Sequence, residues 1–297
     1  MLCIVVSLAI GVLTLAMPPR VQGEPPANQL TGHIGLDCNP TWSPDGTRLA
    51  FTSTRDGARD IWIISITGEP AVRLTLDPLD ESAPAWSPDG KSIAYVRFDA
   101  IWVVAADGGS PRQLTDSGWG DTFPAWSPDG ARIAFARMGN IWLIQVVGGE
   151  AMQLTSIPEG ATAPAWSPDG GEIVFERGIW DSTDLWSITI DGGGLRWLTG
   201  GSADDKDASW SPDGSQLAFA SDREGDNRDI WLMPAAGEPA KRLTTNSAED
   251  SDPAWSPDGR RIAFFSTRSG DPEIWVMTFE PKPVEPATWG SIKAVFR

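Results

Sequence analysis

The chain has 297 residues, enough for one large domain or two small ones. With 41% hydrophobic and 21% charged residues it is not a disordered chain. The formal net charge of −17 argues against a nucleic-acid partner, because an acidic surface repels phosphate backbones, and it favours a basic protein surface or a cation instead.

Residues 1–17 form a largely apolar run that lacks Asp, Glu, Lys and Arg. The run is shorter than the roughly 20 residues a membrane span needs. With a small residue for cleavage at Gly23, it suits a signal peptide or N-terminal anchor over residues 1–23. The expected location is therefore periplasmic or secreted, with no membrane span in the mature chain. Cleavage would leave Cys38 as the sole cysteine, so packing rather than an internal disulfide must hold the fold.

Residues 24–280 carry an internal repeat. Trp-Ser-Pro-Asp-Gly occurs six times, beginning at Trp42, Trp86, Trp126, Trp166, Trp210 and Trp255. Periods of this length belong to propellers and solenoids. Each copy precedes an alternating apolar stretch such as Arg132-Ile133-Ala134-Phe135-Ala136. An Ile-Trp stretch such as Ile141-Trp142-Leu143 follows, and then a short segment ending Leu-Thr, as at Leu154-Thr155. Four short strands per repeat are the content of one propeller blade. Within the motif, Pro presets φ for a type I turn, Asp tolerates the next position and Gly accepts the left-handed one, so the pentapeptide predicts a tight hairpin and no ligand. The six motif tryptophans, with Trp62, Trp102, Trp142, Trp186, Trp231 and Trp275, are expected to pack between blades. Trp119, Trp180, Trp197 and Trp289 fall outside both series and are candidates for exposed binding aromatics.

Leu-Thr also occurs six times, but its first copy, Leu30-Thr31, precedes the first pentapeptide, and none follows Trp275. The last repeat thus lacks its outer strand, and the segment around Gln29-Leu30-Thr31 is expected to supply it. The fold expected is all-β: a six-bladed propeller of four-stranded blades, closed by an N-terminal strand that completes the last blade and leaves a monomer without open sheet edges.

These repeats, reading Pro-x-Trp-Ser-Pro-Asp-Gly, then Ile-Ala-Phe, Ile-Trp and Arg-Leu-Thr, resemble the propeller repeats of the TolB-like family over about residues 26–279. The resemblance implies a periplasmic binding propeller. In the family's namesake an α/β domain precedes the propeller, and the propeller docks a peptidoglycan-associated lipoprotein. Similar propellers also accompany prolyl-oligopeptidase-type hydrolase domains. Other TolB-like propellers degrade acidic sugars with a metal held by histidines, whereas His33 is the one histidine here.

Neither a Gly-x-Ser-x-Gly elbow, a phosphate-binding loop nor a Cys-x-x-Cys pair is present. The most suggestive constellation is acidic and lies just before each pentapeptide: Asp37, Glu81, Asp121, Glu159, Asp205 with Asp207, and Asp250 with Asp252. In a propeller these loops are expected to converge on one mouth of the central channel. Gathered carboxylates would hold a hard cation such as Ca2+ or dock a basic envelope or extracellular protein. The competing reading is that they are solvated turn residues. A second acidic series, Asp60, Asp184, Asp229 and Glu273, is expected to pair with arginines such as Arg55 and Arg268. The resulting expectation is a non-catalytic binding scaffold that needs no cofactor. The alternative is a metal-dependent lyase or hydrolase acting on a carbohydrate or peptide at the channel. Residues 281–297 read as a Pro-rich linker and short C-terminal tail.

Overall fold

A computed structural model describes residues 24–279, apart from residues 69, 117, 180 and 181. The signal-like segment, the C-terminal tail, Trp180 and Trp289 lie outside the described residues.

The turns come first, because the sequence dictates them. In the first pentapeptide, Gly46 N–H donates to Ser43 O at 2.8 Å, and Ser43 Oγ donates to Asp45 Oδ1 at 2.6 Å. Asp45 Oδ1 also accepts from Thr47 N–H, and these bonds hold the Asp45 carboxyl down at about 2. The other five copies repeat the Ser-to-Asp bond. Each motif glycine has φ near +70°. A Cβ on Gly90 would stand 3.1 Å from Pro44 Cγ of the neighbouring blade. The same Pro-over-Gly contact recurs around the ring, back to Pro257 against Gly46. Glycine is needed here for both reasons.

The hairpins assemble into six four-stranded antiparallel sheets. The first blade runs Asp37–Trp42, Arg48–Ser53, Asp60–Ser65 and Val72–Arg73, from innermost to outermost strand. The last blade has Asp250–Trp255, Arg261–Ser266 and Glu273–Thr278, and its fourth strand is Ala27–Gln29. Gln29 pairs with Trp275 and Ala27 with Met277. Leu30 N–H donates to Ile274 O at 2.8 Å, and Ile274 N–H donates to Thr31 Oγ1 at 2.9 Å. In every other blade the Leu-Thr threonine accepts in the same way from the residue before the Ile-Trp-series tryptophan, as Thr75 does from Ile61. The N-terminal strand therefore completes the last blade, as its sequence implies.

The core lies between blades. One cluster joins Trp42, Leu49, Phe51 and Trp62 of the first blade to Ala263, Ile274 and Val276 of the last. Trp42 Nε1 donates across that junction to Ala254 O at 2.9 Å. Trp126, Trp166 and Trp210 reach back to the preceding blade in the same way. The tryptophans of both series pack in these junctions, as their periodicity predicts.

Candidate functional site

A sixfold arginine network decides where the acidic residues sit. Arg55, Arg97, Arg137, Arg177, Arg223 and Arg268 each lie within two residues of the end of a second strand, and each guanidinium lies 4.4–5.4 Å over the Ile-Trp-series tryptophan of its own blade. Four of them pair with the first acid of the inner strand: Arg55 with Asp37, Arg137 with Asp121, Arg223 with Asp205 and Arg268 with Asp250. Those four carboxylates are no more than 1% exposed. Glu81 is equally buried. The expectation of five solvent-facing carboxylates at the channel mouth is thereby corrected. Asp37, Asp121, Asp205 and Asp250 lie inside the blades because arginine covers them, and Glu81 is buried at the same position without such a pair. In the fourth blade Ala161 holds the acid position, and Arg177 turns to Glu159. The second acidic series also pairs differently from expectation. Asp60 and Asp229 take the outer-strand arginines Arg73 and Arg242, while Glu273 accepts from Thr31 Oγ1 and His33 N–H.

Two residues further along, each inner strand has a register shift against its neighbour. The residues at these six bulges are Asn39, Ala83, Phe123, Ala163, Asp207 and Asp252, all with φ between +47° and +55°. A bulge re-aims a side chain, and left-handed backbone at non-glycine residues is costly. All six, with the residues that follow them, line one depression of about 190 Å3 to which every blade contributes; this is the channel mouth. Asp207 and Asp252 alone of the eight acidic candidates reach it.

The mouth has two unlike halves. Ala83, Phe123 and Ala163 make one side apolar. Asn39, Asp207 and Asp252 make the other polar, backed by buried Glu176. Each carboxylate there accepts from the bulge N–H of the next blade. Asp207 N–H donates to Glu176 Oε1 at 2.8 Å, Asp252 N–H donates to the Asp207 carboxylate, and Asn39 N–H donates to Asp252 Oδ2 at 3.0 Å. Burial, then the charge of Asp207, pushes Glu176 up to about 8. The same two causes push Asp252 up to about 7, and burial raises Asp207 as well. Burial thus favours the protonated form at all three positions, and the charge of Asp207 adds to the effect at Glu176 and Asp252. Cys38, beside them, is pushed up to about 12 by burial and then by Asp252, which leaves it an inert thiol. Among the described residues no three His, Cys, Asp or Glu side chains are grouped closely enough to hold a metal.

Around the mouth lies the face formed by the loops entering the inner strands and those joining second to third strands. Antiparallel pairing puts both at the same end of each blade, and hydrogen bonds such as Glu81 N–H to Arg59 O join them between blades. Over the first three blades this face carries Ile34, Leu76, Leu79, Phe98, Trp119 and Met138, each at least 43% exposed. Phe98 and Met138 stand at two-residue hairpin tips with φ of +47° and +48°, where Asn or Gly is the usual choice. Over the later blades the face is ionic: Asp204 pairs with Lys206 and Arg228, and Arg228 also with Glu249. Trp197 is exposed too, but it lies on an outer strand and stacks on Trp186.

The sequence reading missed the bulge column apart from Asp207 and Asp252. The signal available was the position three before each motif tryptophan, where Asn, Ala, Phe, Ala, Asp and Asp stand.

A 55-residue stretch is 40% identical to the Tol-Pal system protein TolB of Syntrophus aciditrophicus, covering 18% of this chain and 12% of that protein. The chain thus spans only a small part of that relative's length. The fold is similar to that of a protein assigned as TolB in Agrobacterium tumefaciens, with TM-score 0.66 and 23% identity over 83% of this chain and 91% of that one. It is also similar to an oligogalacturonate lyase solved with manganese, with TM-score 0.63 and 16% identity over 88% and 95% of the two chains. The family model for the TolB beta propeller domain matches residues 21–140, 100–228 and 225–295, and the chain belongs to that family.

Proposed function

We propose that the protein is a non-catalytic binding scaffold of the cell envelope, acting on the periplasmic side, and that its loop face docks another protein. The observation that carries this reading is the division of that face. Exposed apolar side chains, two of them held on left-handed backbone, cover the first three blades, while carboxylates line the adjoining half of the channel mouth. A partner that seats an apolar segment on the former and a basic side chain at Asp207 and Asp252 matches both halves. The similarity to TolB of the Tol-Pal system supports an envelope partner.

The test is site-specific photo-crosslinking in the native envelope, with the probe at Phe98 or Trp119 and, as control, at Val147 on the opposite face. One protein crosslinked from both loop-face sites and not from Val147 is the expected result. Equal labelling from Val147 overturns the reading. The second reading, a metal-dependent lyase or hydrolase, draws on the shared fold with oligogalacturonate lyase. Turnover of oligogalacturonate or of a peptide by metal-supplemented protein, abolished by Asp207→Asn with Asp252→Asn, would favour it.

A further inference from the structure

The second blade departs from the other five at two framework positions, and both departures meet at one place. Where the other five blades have Asp37, Asp121, Ala161, Asp205 and Asp250, this one has Glu81. Where the other second strands bury Phe51, Phe135, Phe175, Phe219 and Phe264, this one buries Tyr95, the sole tyrosine of the chain. Tyr95 is two residues before Arg97, the register partner of Glu81, and the charge of Glu81 acts on its hydroxyl.

In the other blades that have the inner acid, arginine satisfies it. Here Arg97 pairs with Asp77 instead. Neither Glu81 oxygen nor the Tyr95 hydroxyl has a hydrogen-bond partner within normal geometry; the Thr75 hydroxyl lies beside Glu81 and the Arg97 guanidinium beside Tyr95. A buried carboxylate in that condition is costly, and native proteins rarely leave one so. Glu81 lies against a cavity of about 310 Å3, with Leu74, Leu76, Val104 and Pro111 as apolar wall and the more exposed Asp77–Arg97 pair toward solvent. With Arg97 matched to Asp77, an ionised Glu81 has no counter-ion of its own.

We propose that this cavity is a binding site for a small primary alkylamine in its ammonium form. The ammonium has three N–H donors and no acceptor, which suits the two oxygens of Glu81, the buried acid that lines the cavity. Its alkyl chain lies along the apolar wall, and its charge neutralises Glu81. The Asp77–Arg97 pair lines the same cavity.

The test is calorimetric titration of the whole protein with n-butylammonium, with n-butanol as the neutral control of the same shape. Wild type is expected to bind the amine and not the alcohol. Glu81→Gln keeps the shape and removes the charge, and it is expected to weaken binding about tenfold or more. Glu81→Asp combined with Tyr95→Phe restores the residues of the other blades; it is expected to fold normally and to lose the amine. Glu159→Gln, an exposed acid outside the cavity, is expected to bind as wild type does. The proposal is overturned if wild type takes up no amine, if the alcohol binds equally well, or if the restored double variant binds as tightly as wild type.

Discussion

The two faces of the disc come from the same repeat, yet one is uniform and the other is not. On the turn face all six pentapeptides make the same Ser–Asp bond and the same Pro-over-Gly contact. On the loop face the connections differ in length and in chemistry. They are two residues long at Phe98-Asp99 and much longer before Asp229, apolar over the early blades and ionic over the late ones. Repetition marks what every blade needs in order to stack. Departure from repetition marks where a molecule outside the ring can be told from solvent.

Breaking the shared framework should cost most. Arg137→Ala leaves the fully buried Asp121 without its cation, and a loss of about 3–5 kcal/mol is expected. Urea denaturation measures it; a loss near zero would show that the sixfold arginine network is ornamental.

The second blade sharpens the contrast next. Burial pushes Glu81 from its ordinary 4.5 up to about 7, with Asp60, Asp77, Arg97 and Tyr95 as its charged and titratable neighbours. The protonated form is the one the fold favours. The stability tied to Glu81 is thus complete below about pH 4.5 and is lost as pH rises through 7, a change on the order of 3 kcal/mol. Glu81→Gln should remove that slope. Denaturation free energies of both proteins from pH 4 to 8 would be compared, and a constant difference between them contradicts the unpaired carboxyl.

On the turn face, Gly90→Ala must hold φ of +70° and set a Cβ against Pro44. A loss of about 1–2 kcal/mol is expected, read as a lower melting temperature. The smallest effect belongs to the loop face. Phe98→Ser with Trp119→Ser should change stability by no more than about 0.5 kcal/mol while removing the partner crosslinked there. Substantial unfolding of that variant would return those side chains to the core.

The contrast also explains what could be read in advance. Blade number, strand order and closure were legible because Trp-Ser-Pro-Asp-Gly and Leu-Thr each encode a local event, a turn or a threonine acceptor, repeated with fixed spacing. The acidic column was legible as composition and misleading as position. Asp121 is adjacent in sequence to exposed loop residues, but Arg137, sixteen residues later, folds over it. The bulge column was hidden for another reason. A residue before proline is expected to be extended, yet Asn39, Ala83, Phe123, Ala163 and Asp252 all precede proline with left-handed backbone. Only the ring as a whole holds them in that state, and no window of sequence contains the ring.

The strand Ala27–Gln29 has a consequence in time as well as space. It is the first described strand to leave the ribosome, and its partner, Glu273–Thr278, is the last. Early blades can form their own hairpins during synthesis, but the seam waits for the end of the chain, so the ring should lock late and in a single step. Until then the growing chain stays open to a translocation or folding helper, and only the final blade ends that opportunity.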